Sequence, residues 1–186
     1  MDSPAAHEMT SDDVTRILNS SSNAQVGTLG EETTRWFLER QLDAIIITLG
    51  DAGMPRTANR QDLDITAVLE GELIAFEVKS RYLSRRAGKL TRGGDLLRPR
   101  LSRTSTGQRQ GSQGYATERI ADIVDTGDGC EGVNVRLAVV DFQLMMLQFF
   151  SLDDDGRVST RLGPPMECAT EAAVAYLEIV NHRGHL

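Results

Sequence analysis

The sequence predicts a mixed α/β domain in which helices flank one β-sheet. Segments with helical spacing of apolar residues alternate with runs rich in β-branched residues. The predicted order of elements in the domain is α, β, β, β, α, β, β, α. The 186 residues are enough for one domain with a sizeable core, and 40% hydrophobic with 25% charged residues is typical of a soluble globular protein. We expect residues 1–24 to form an N-terminal extension with a short helix and residues 25–186 to form the domain.

The first half of the chain carries two helix patterns and three strand patterns. TSDDVTRIL predicts a short helix with Thr10 and Asp13 at capping-box spacing, and residues 25–42 predict a longer helix. DAIIITLG predicts the first strand, because it is rich in β-branched residues and ends in glycine. DLDITAVL and ELIAFEVKSR are joined by Glu70-Gly71, which predicts a β-hairpin.

The second half of the chain begins with a basic stretch. Residues 82–107 contain glycines and a proline without a clear period, so we expect a long loop. SQGYATERIADIVD predicts a helix with Tyr115 turned inward, and NVRLAVVDF and LMMLQFFSL predict two strands. DDDG predicts a turn that connects the second of these strands to RVSTRL. ATEAAVAYLEIV predicts a final helix with Ala173, Val174 and Leu177 as its apolar positions.

The net charge of −7 conceals a strongly basic segment. Residues 79–109 hold ten of the twenty Lys and Arg residues and one acid, so the segment carries +9 and the remainder of the chain −16. This asymmetry indicates a surface that binds a polyanion, with nucleic acid as the expected partner. The alternative is a solvated loop whose arginines have no specific role. The candidates for nucleic-acid binding are basic residues early in the segment and one tyrosine able to stack on a base: Arg81, Arg85, Arg86, Lys89, Arg92 and Tyr82.

The predicted hairpin brings two carboxylates together. With the turn centred on Glu70-Gly71, directly opposed residues have numbers that sum to 141, so Asp64 comes opposite Glu77. Opposed residues point to the same side of an antiparallel pair, and Lys79 lies on that side because strand side chains alternate. A surface hairpin with an ion pair between Asp62 and Lys79 is the alternative interpretation.

Two neighbouring carboxylates repel each other unless a cation lies between them. Carboxylate oxygens suit Mg²⁺ or Mn²⁺, which need only one or two protein carboxylates besides water and substrate phosphate. Lys79 could orient an attacking water or stabilise charge on a phosphate. The cluster and the neighbouring basic segment together predict hydrolysis of a nucleic-acid backbone.

The spacing of these residues resembles a known family. Asp64 followed by twelve residues and Glu77-Val78-Lys79 resembles the motif of the PD-(D/E)XK, or restriction-endonuclease-like, nucleases. Upstream, GEETTRWFL resembles the helical motif of Holliday-junction-resolvase-like members, with Glu31 at the acidic position. The resemblance implies a restriction-endonuclease-like sheet flanked by helices, with Glu31, Asp64, Glu77 and Lys79 as catalytic residues. It also implies that Asp64, Glu77 and Glu31 are the metal ligands.

A second resemblance lies downstream. RQGSQGYATERI resembles a segment of restriction-endonuclease-fold toxin domains of bacterial polymorphic toxins, which implies that Gln110 lies near the metal site as a further catalytic residue. It also implies a toxic effector in interbacterial competition, with a cognate immunity protein as a partner. A DNA-repair nuclease of the resolvase-like branch and a catalytically silent nucleic-acid-binding module of the same fold are the alternatives. DNA is slightly favoured over RNA as the substrate.

The sequence also bears on location. No apolar run approaches the ~20 residues of a membrane helix, so we expect no membrane association. The N-terminus has neither a basic start nor an apolar core, and a standard secretory signal is therefore not expected. We expect a cytoplasmic site of action, which a toxin would reach through a specialised secretion system.

Overall fold

The computed structural model describes residues 10–47, 63–82, 91–92, 94–96, 101–103, 107–121 and 133–183. The helices in these ranges are α1 Ser11–Leu18, α2 Asn23–Gln41, α3 Gln113–Ala121 and α4 Ala169–Arg183. The strands are β1 Ile45–Ile47, β2 Ile65–Leu69, β3 Glu72–Arg81, β4 Thr91–Arg92, β5 Asp95–Leu96, β6 Asn134–Asp141, β7 Met146–Leu152, β8 Val158–Arg161 and β9 Met166–Glu167.

Seven of these strands form one mixed sheet. Its order is β1-β2-β3-β6-β7-β8, with β9 paired to β7, while β4 and β5 form a separate two-stranded sheet. The pairing of β3 with β6 is parallel and the other pairs are antiparallel. Helices flank this sheet, so the expected mixed α/β class is confirmed.

The first helix begins where the sequence predicts, and the second begins slightly earlier. The side chain of Thr10 accepts a hydrogen bond from the backbone amide of Asp13, and the Asp13 carboxylate accepts one from the backbone amide of Thr10, which confirms the capping box. A second box, formed by Ser22 and Gln25, starts α2 two residues earlier than expected. Val14 of α1 is fully buried, so the helix of the N-terminal segment contributes to the main core.

The sheet separates a large core from two smaller ones. On one face, α1, α2 and α4 cover Phe76, Val78 and Phe149. On the other face, Tyr115 of α3 packs with Ala75. This confirms the prediction that Tyr115 is turned inward. A third cluster on this second face has five buried members: Leu96, Leu101, Leu137, Val139 and Phe150.

Three sequence expectations need correction. The stretch 82–107 is not wholly loop, because it contains β4, β5 and a β-bridge between Arg103 and Arg109. Strand β9 was not predicted, since two residues are too short to carry a pattern. In α4 the side chain of Leu177 is 43% exposed, while Ala172, Ala175 and Ile179 are buried. None of the helices in the described ranges has both the length and the apolar character needed to cross a membrane.

Candidate active site

The β2–β3 hairpin has the register that the sequence predicts. Ile65 pairs with Phe76 and Leu69 with Glu72, so paired residue numbers sum to 141. The turn residues Glu70 and Gly71 both have positive φ, at 53° and 83°, as the tight turns favoured in hairpins require. Continuing this register by one residue brings Asp64, just before β2, opposite Glu77.

Among the described residues, Lys79 is the one cation at hydrogen-bond distance from the buried carboxylate of Glu77. Glu77 lies in the middle of β3 and is 1% exposed. Lys79 Nζ donates a hydrogen bond to Glu77 Oε1 over 2.6 Å, and 27% of the lysine side chain reaches solvent. A solvated surface pair does not describe this geometry. Asp62, the partner in the surface interpretation, lies outside the described residues.

Asp64 is fixed by the backbone of the neighbouring strand. Its Oδ2 accepts a hydrogen bond of 2.6 Å from the amide of Val78, the residue between Glu77 and Lys79. This bond holds one carboxylate oxygen beside the two other charged groups. The sequence did not reveal it, because a main-chain donor leaves no mark in the side-chain pattern.

The two carboxylates hold their protons more tightly than exposed ones. Burial, and after it the negative charge of Asp64, raise the pKa of Glu77 to about 7, against the opposing effect of Lys79. Burial also raises the pKa of Asp64, while Lys79 and the Val78 amide act in the opposite direction. The Lys79 ammonium group therefore does not fully compensate the buried carboxylate of Glu77 and the half-buried carboxylate of Asp64.

This deficit of positive charge fits a divalent cation. Mg²⁺ and Mn²⁺ prefer oxygen ligands and often use one or two carboxylates, with water completing the shell. Asp64 and Glu77 provide such a pair, and a cation would relieve their repulsion. Among the described residues, however, no group of three or more His, Cys, Asp or Glu side chains could hold a metal ion.

Glu31 is therefore not part of a three-carboxylate group with Asp64 and Glu77. It lies half-buried in α2, next to Gly30. A Cβ added at Gly30 would overlap the side chain of Ser80, so α2 packs on the face of β3 that carries Ser80. Glu77 and Lys79 project from the opposite face, because strand side chains alternate. The helix thus approaches the sheet from the other layer.

Gln110 lies next to the part of the chain that covers Glu77. A Cβ added at the following residue, Gly111, would be 4.0 Å from the Cβ of Glu77. Gly111 has φ 76°, a conformation that favours glycine. The amide of Gln110 donates to the carbonyl of Ser102 over 3.0 Å, which ties this segment to the end of the basic stretch. Gly111, the first glycine of RQGSQG, was the signal in the sequence for this close approach of the backbone to Glu77.

The residues expected to contact nucleic acid divide into two groups. Arg85, Arg86 and Lys89 lie outside the described residues, and the side chain of Arg92 does as well. Arg81 and Tyr82 are described, and both have partners within the chain.

Arg81 Nε donates to Asp141 Oδ2 over 2.6 Å, and Asp141 is 1% exposed. The Tyr82 hydroxyl donates to Asn19 Oδ1 over 2.9 Å. These contacts tie β3 to β6 and to the end of α1. Sequence reasoning did not identify Asp141 as the partner of Arg81, because the two residues are distant along the chain.

Comparisons with known proteins add no family assignment. No protein-family model, curated protein or solved structure matches this chain. The function is therefore argued from the carboxylate pair, its lysine and the chain that surrounds them.

Proposed function

We propose that this chain is a metal-dependent nuclease that hydrolyses phosphodiester bonds, with Asp64, Glu77 and Lys79 as its catalytic residues. The observation that carries the proposal is the burial of Glu77 beside a second carboxylate, with Lys79 Nζ 2.6 Å from its Oε1. Such an arrangement opposes folding, and strongly perturbed carboxylates of this kind cluster at functional sites. The proposal includes a restriction-endonuclease-like fold, supported by the hairpin that carries the motif.

The three side chains would have different roles. Asp64 and Glu77 would hold Mg²⁺ or Mn²⁺, which when bound supplies charge stabilisation at the phosphate and lowers the pKa of water. The Val78 amide keeps the Asp64 carboxylate oriented toward Glu77. Lys79 has three donors, of which one is used by Glu77. The remaining donors can orient an attacking water or bind a phosphate oxygen on which negative charge develops.

The substrate is proposed to be nucleic acid, with DNA slightly favoured over RNA. The +9 charge of residues 79–109 supports a polyanionic substrate. These basic residues lie close to the site along the chain, because they begin at Lys79 and end just before Gly111, which lies against Glu77. The biological setting proposed from the toxin-like segment is interbacterial competition, with an immunity protein that blocks the enzyme.

A cleavage assay tests this function. Purified protein is incubated with plasmid DNA and with total tRNA, in Mg²⁺ and in EDTA. We expect cutting of one polymer in Mg²⁺, and its loss in EDTA and in Lys79→Ala. Arg16→Ala is the matched control, because Arg16 is an exposed cation on α1, which packs on the other face of the sheet. Full cutting by Lys79→Ala, or no cutting of either polymer by the wild type, would contradict the proposal.

A further inference from the structure

Two arginines face each other in the segment that covers Glu77. Arg103 and Arg109 are partners in an antiparallel β-bridge. Directly opposed residues in such a pair project to the same side, with Cβ atoms ~4.5–5.5 Å apart. Arg103 is exposed and Arg109 half-buried. Like charges in this position repel each other, so the bridge places two guanidinium groups where a shared anion would stabilise both.

The described neighbours of the two arginines do not neutralise their charges. Arg103 Nη1 donates to the carbonyl of Gly107 over 2.7 Å, which orients the side chain without neutralising it. Among the described residues, neither Arg103 nor Arg109 forms an ion pair with a carboxylate. Elsewhere in these ranges, Arg35, Arg81 and Arg161 each have an acidic partner.

Both strands of the bridge are anchored beside the carboxylate pair. Leu101, two residues before Arg103, is buried with Leu137 and Val139, which pair with Glu77 and Lys79 in the β3–β6 ladder. On the other strand, Gly111 follows Arg109 by two residues and lies against Glu77. The amide of Gln110 donates to the carbonyl of Ser102 over 3.0 Å and joins the two strands.

We propose that Arg103 and Arg109 form a binding site for a backbone phosphate of the nucleic-acid substrate, adjacent to the bond that is cut at Asp64 and Glu77. This inference rests on the proposed nuclease function and identifies part of its substrate-binding surface. A guanidinium group presents several donors in a planar fork that matches phosphate oxygens. Two such groups on one side of a bridge offer donors to the same phosphate from two directions. The neighbouring backbone, anchored at Leu101 and Gly111, fixes the distance from this phosphate to the catalytic carboxylates.

The salt dependence of binding tests the site. Binding of fluorescently labelled duplex DNA and of tRNA is measured by anisotropy, in EDTA and over a range of salt concentrations, for the wild type and for Arg103→Ala, Arg109→Ala and the double variant. Loss of one phosphate contact should reduce the slope of log Kobs against log [salt] by about 1 and weaken low-salt binding by roughly tenfold. Arg16→Ala should leave the slope unchanged. An unchanged slope in the double variant would overturn the inference.

Conservative variants separate a phosphate contact from a structural role. Arg103→Lys and Arg109→Lys keep the charge but lose the planar fork. We expect them to restore most of the salt slope with only part of the affinity. A structural role would instead appear as equal loss of thermal stability in the alanine and lysine variants, with no change in slope.

The test also distinguishes failure of the inference from failure of the proposed function. Cutting by the wild type together with an unaffected double variant would remove the arginine site and leave the nuclease proposal intact. If the wild type neither cuts nor binds nucleic acid, the arginine site is tested with inorganic phosphate, by following the Nε–Hε NMR signals of the two arginines. Phosphate-dependent shifts of both signals would then support an anion site without nuclease activity. The absence of shifts would overturn it.

Discussion

Replacing Glu77 by glutamine should stabilise the protein at neutral pH and not at acidic pH. Burial raises the pKa of this carboxyl from its ordinary value of 4.5 to about 7 in the folded chain. Between pH 4.5 and pH 7 the folded protein therefore keeps a proton on Glu77 that the unfolded chain releases. The free energy of unfolding falls as the pH rises through this interval. At 1.36 kcal/mol per pKa unit, the loss amounts to about 3 kcal/mol by neutral pH. Glutamine has nearly the same shape and does not titrate, so Glu77→Gln lacks this loss.

The measurement is the difference in unfolding free energy between variant and wild type as a function of pH. Urea unfolding in EDTA, followed by circular dichroism from pH 4.5 to 8, gives the free energy of unfolding by linear extrapolation. The charged hydrogen bond to Lys79 forms only when Glu77 is ionised, so its effect is already part of the shifted pKa of this carboxyl. The increase with pH isolates the contribution of the carboxyl proton, and we expect about 3 kcal/mol.

A matched control lies on the same strand. Glu72 is exposed at the start of β3, and Glu72→Gln should leave the pH dependence of stability unchanged. If the difference between Glu77→Gln and the wild type does not change with pH, the carboxyl is not destabilised by burial. In that case the site would not lower the stability of the fold at neutral pH.

Three further substitutions test the surroundings of the site. Thr66→Val should raise the free energy of unfolding by about 1 kcal/mol, because the buried Thr66 hydroxyl has no hydrogen-bond partner among the described residues; an unchanged urea midpoint would argue against this. Gly30→Ala should cost about 1–3 kcal/mol through overlap with a side chain of β3, whereas Gly27→Ala in the same helix meets nothing within 4 Å and should be neutral or stabilising. Equal melting temperatures for these two variants would refute the packing argument. Gln148→Leu removes the fully buried side chain that accepts a hydrogen bond from the Leu96 amide, so hydrogen exchange of this amide should accelerate. Unchanged protection of the Leu96 amide would show that other contacts hold β5 in place.

The geometry of the hairpin could be predicted from the sequence because it depends on local rules. Glu70-Gly71 supplies two residues that adopt positive φ, and this turn sets the pairing of β2 with β3. Alternation along β3 then places Glu77 and Lys79 on one face. These relations require no knowledge of the remaining chain, and the register in the structure agrees with them.

Burial of Glu77 was decided only by tertiary structure. The same alternating pattern fits a solvated strand face, and local spacing does not distinguish the two. Gly111 covers Glu77 from a segment more than thirty residues away in sequence, and Leu137 pairs beside it from a parallel strand farther still. Partners at such separations depend on how the layers pack.

The same distinction explains where Glu31 and Arg81 lie. Glu31 lies on a helix that packs against the opposite face of the sheet, and the sequence of that helix contains nothing that specifies a face. Arg81 meets Asp141 because β3 and β6 run parallel. The sequence by itself determined the direction of each side chain from its own strand or helix. Tertiary packing decided which of those side chains lost contact with water, because desolvation depends on the atoms that cover a group and not on its neighbours along the chain.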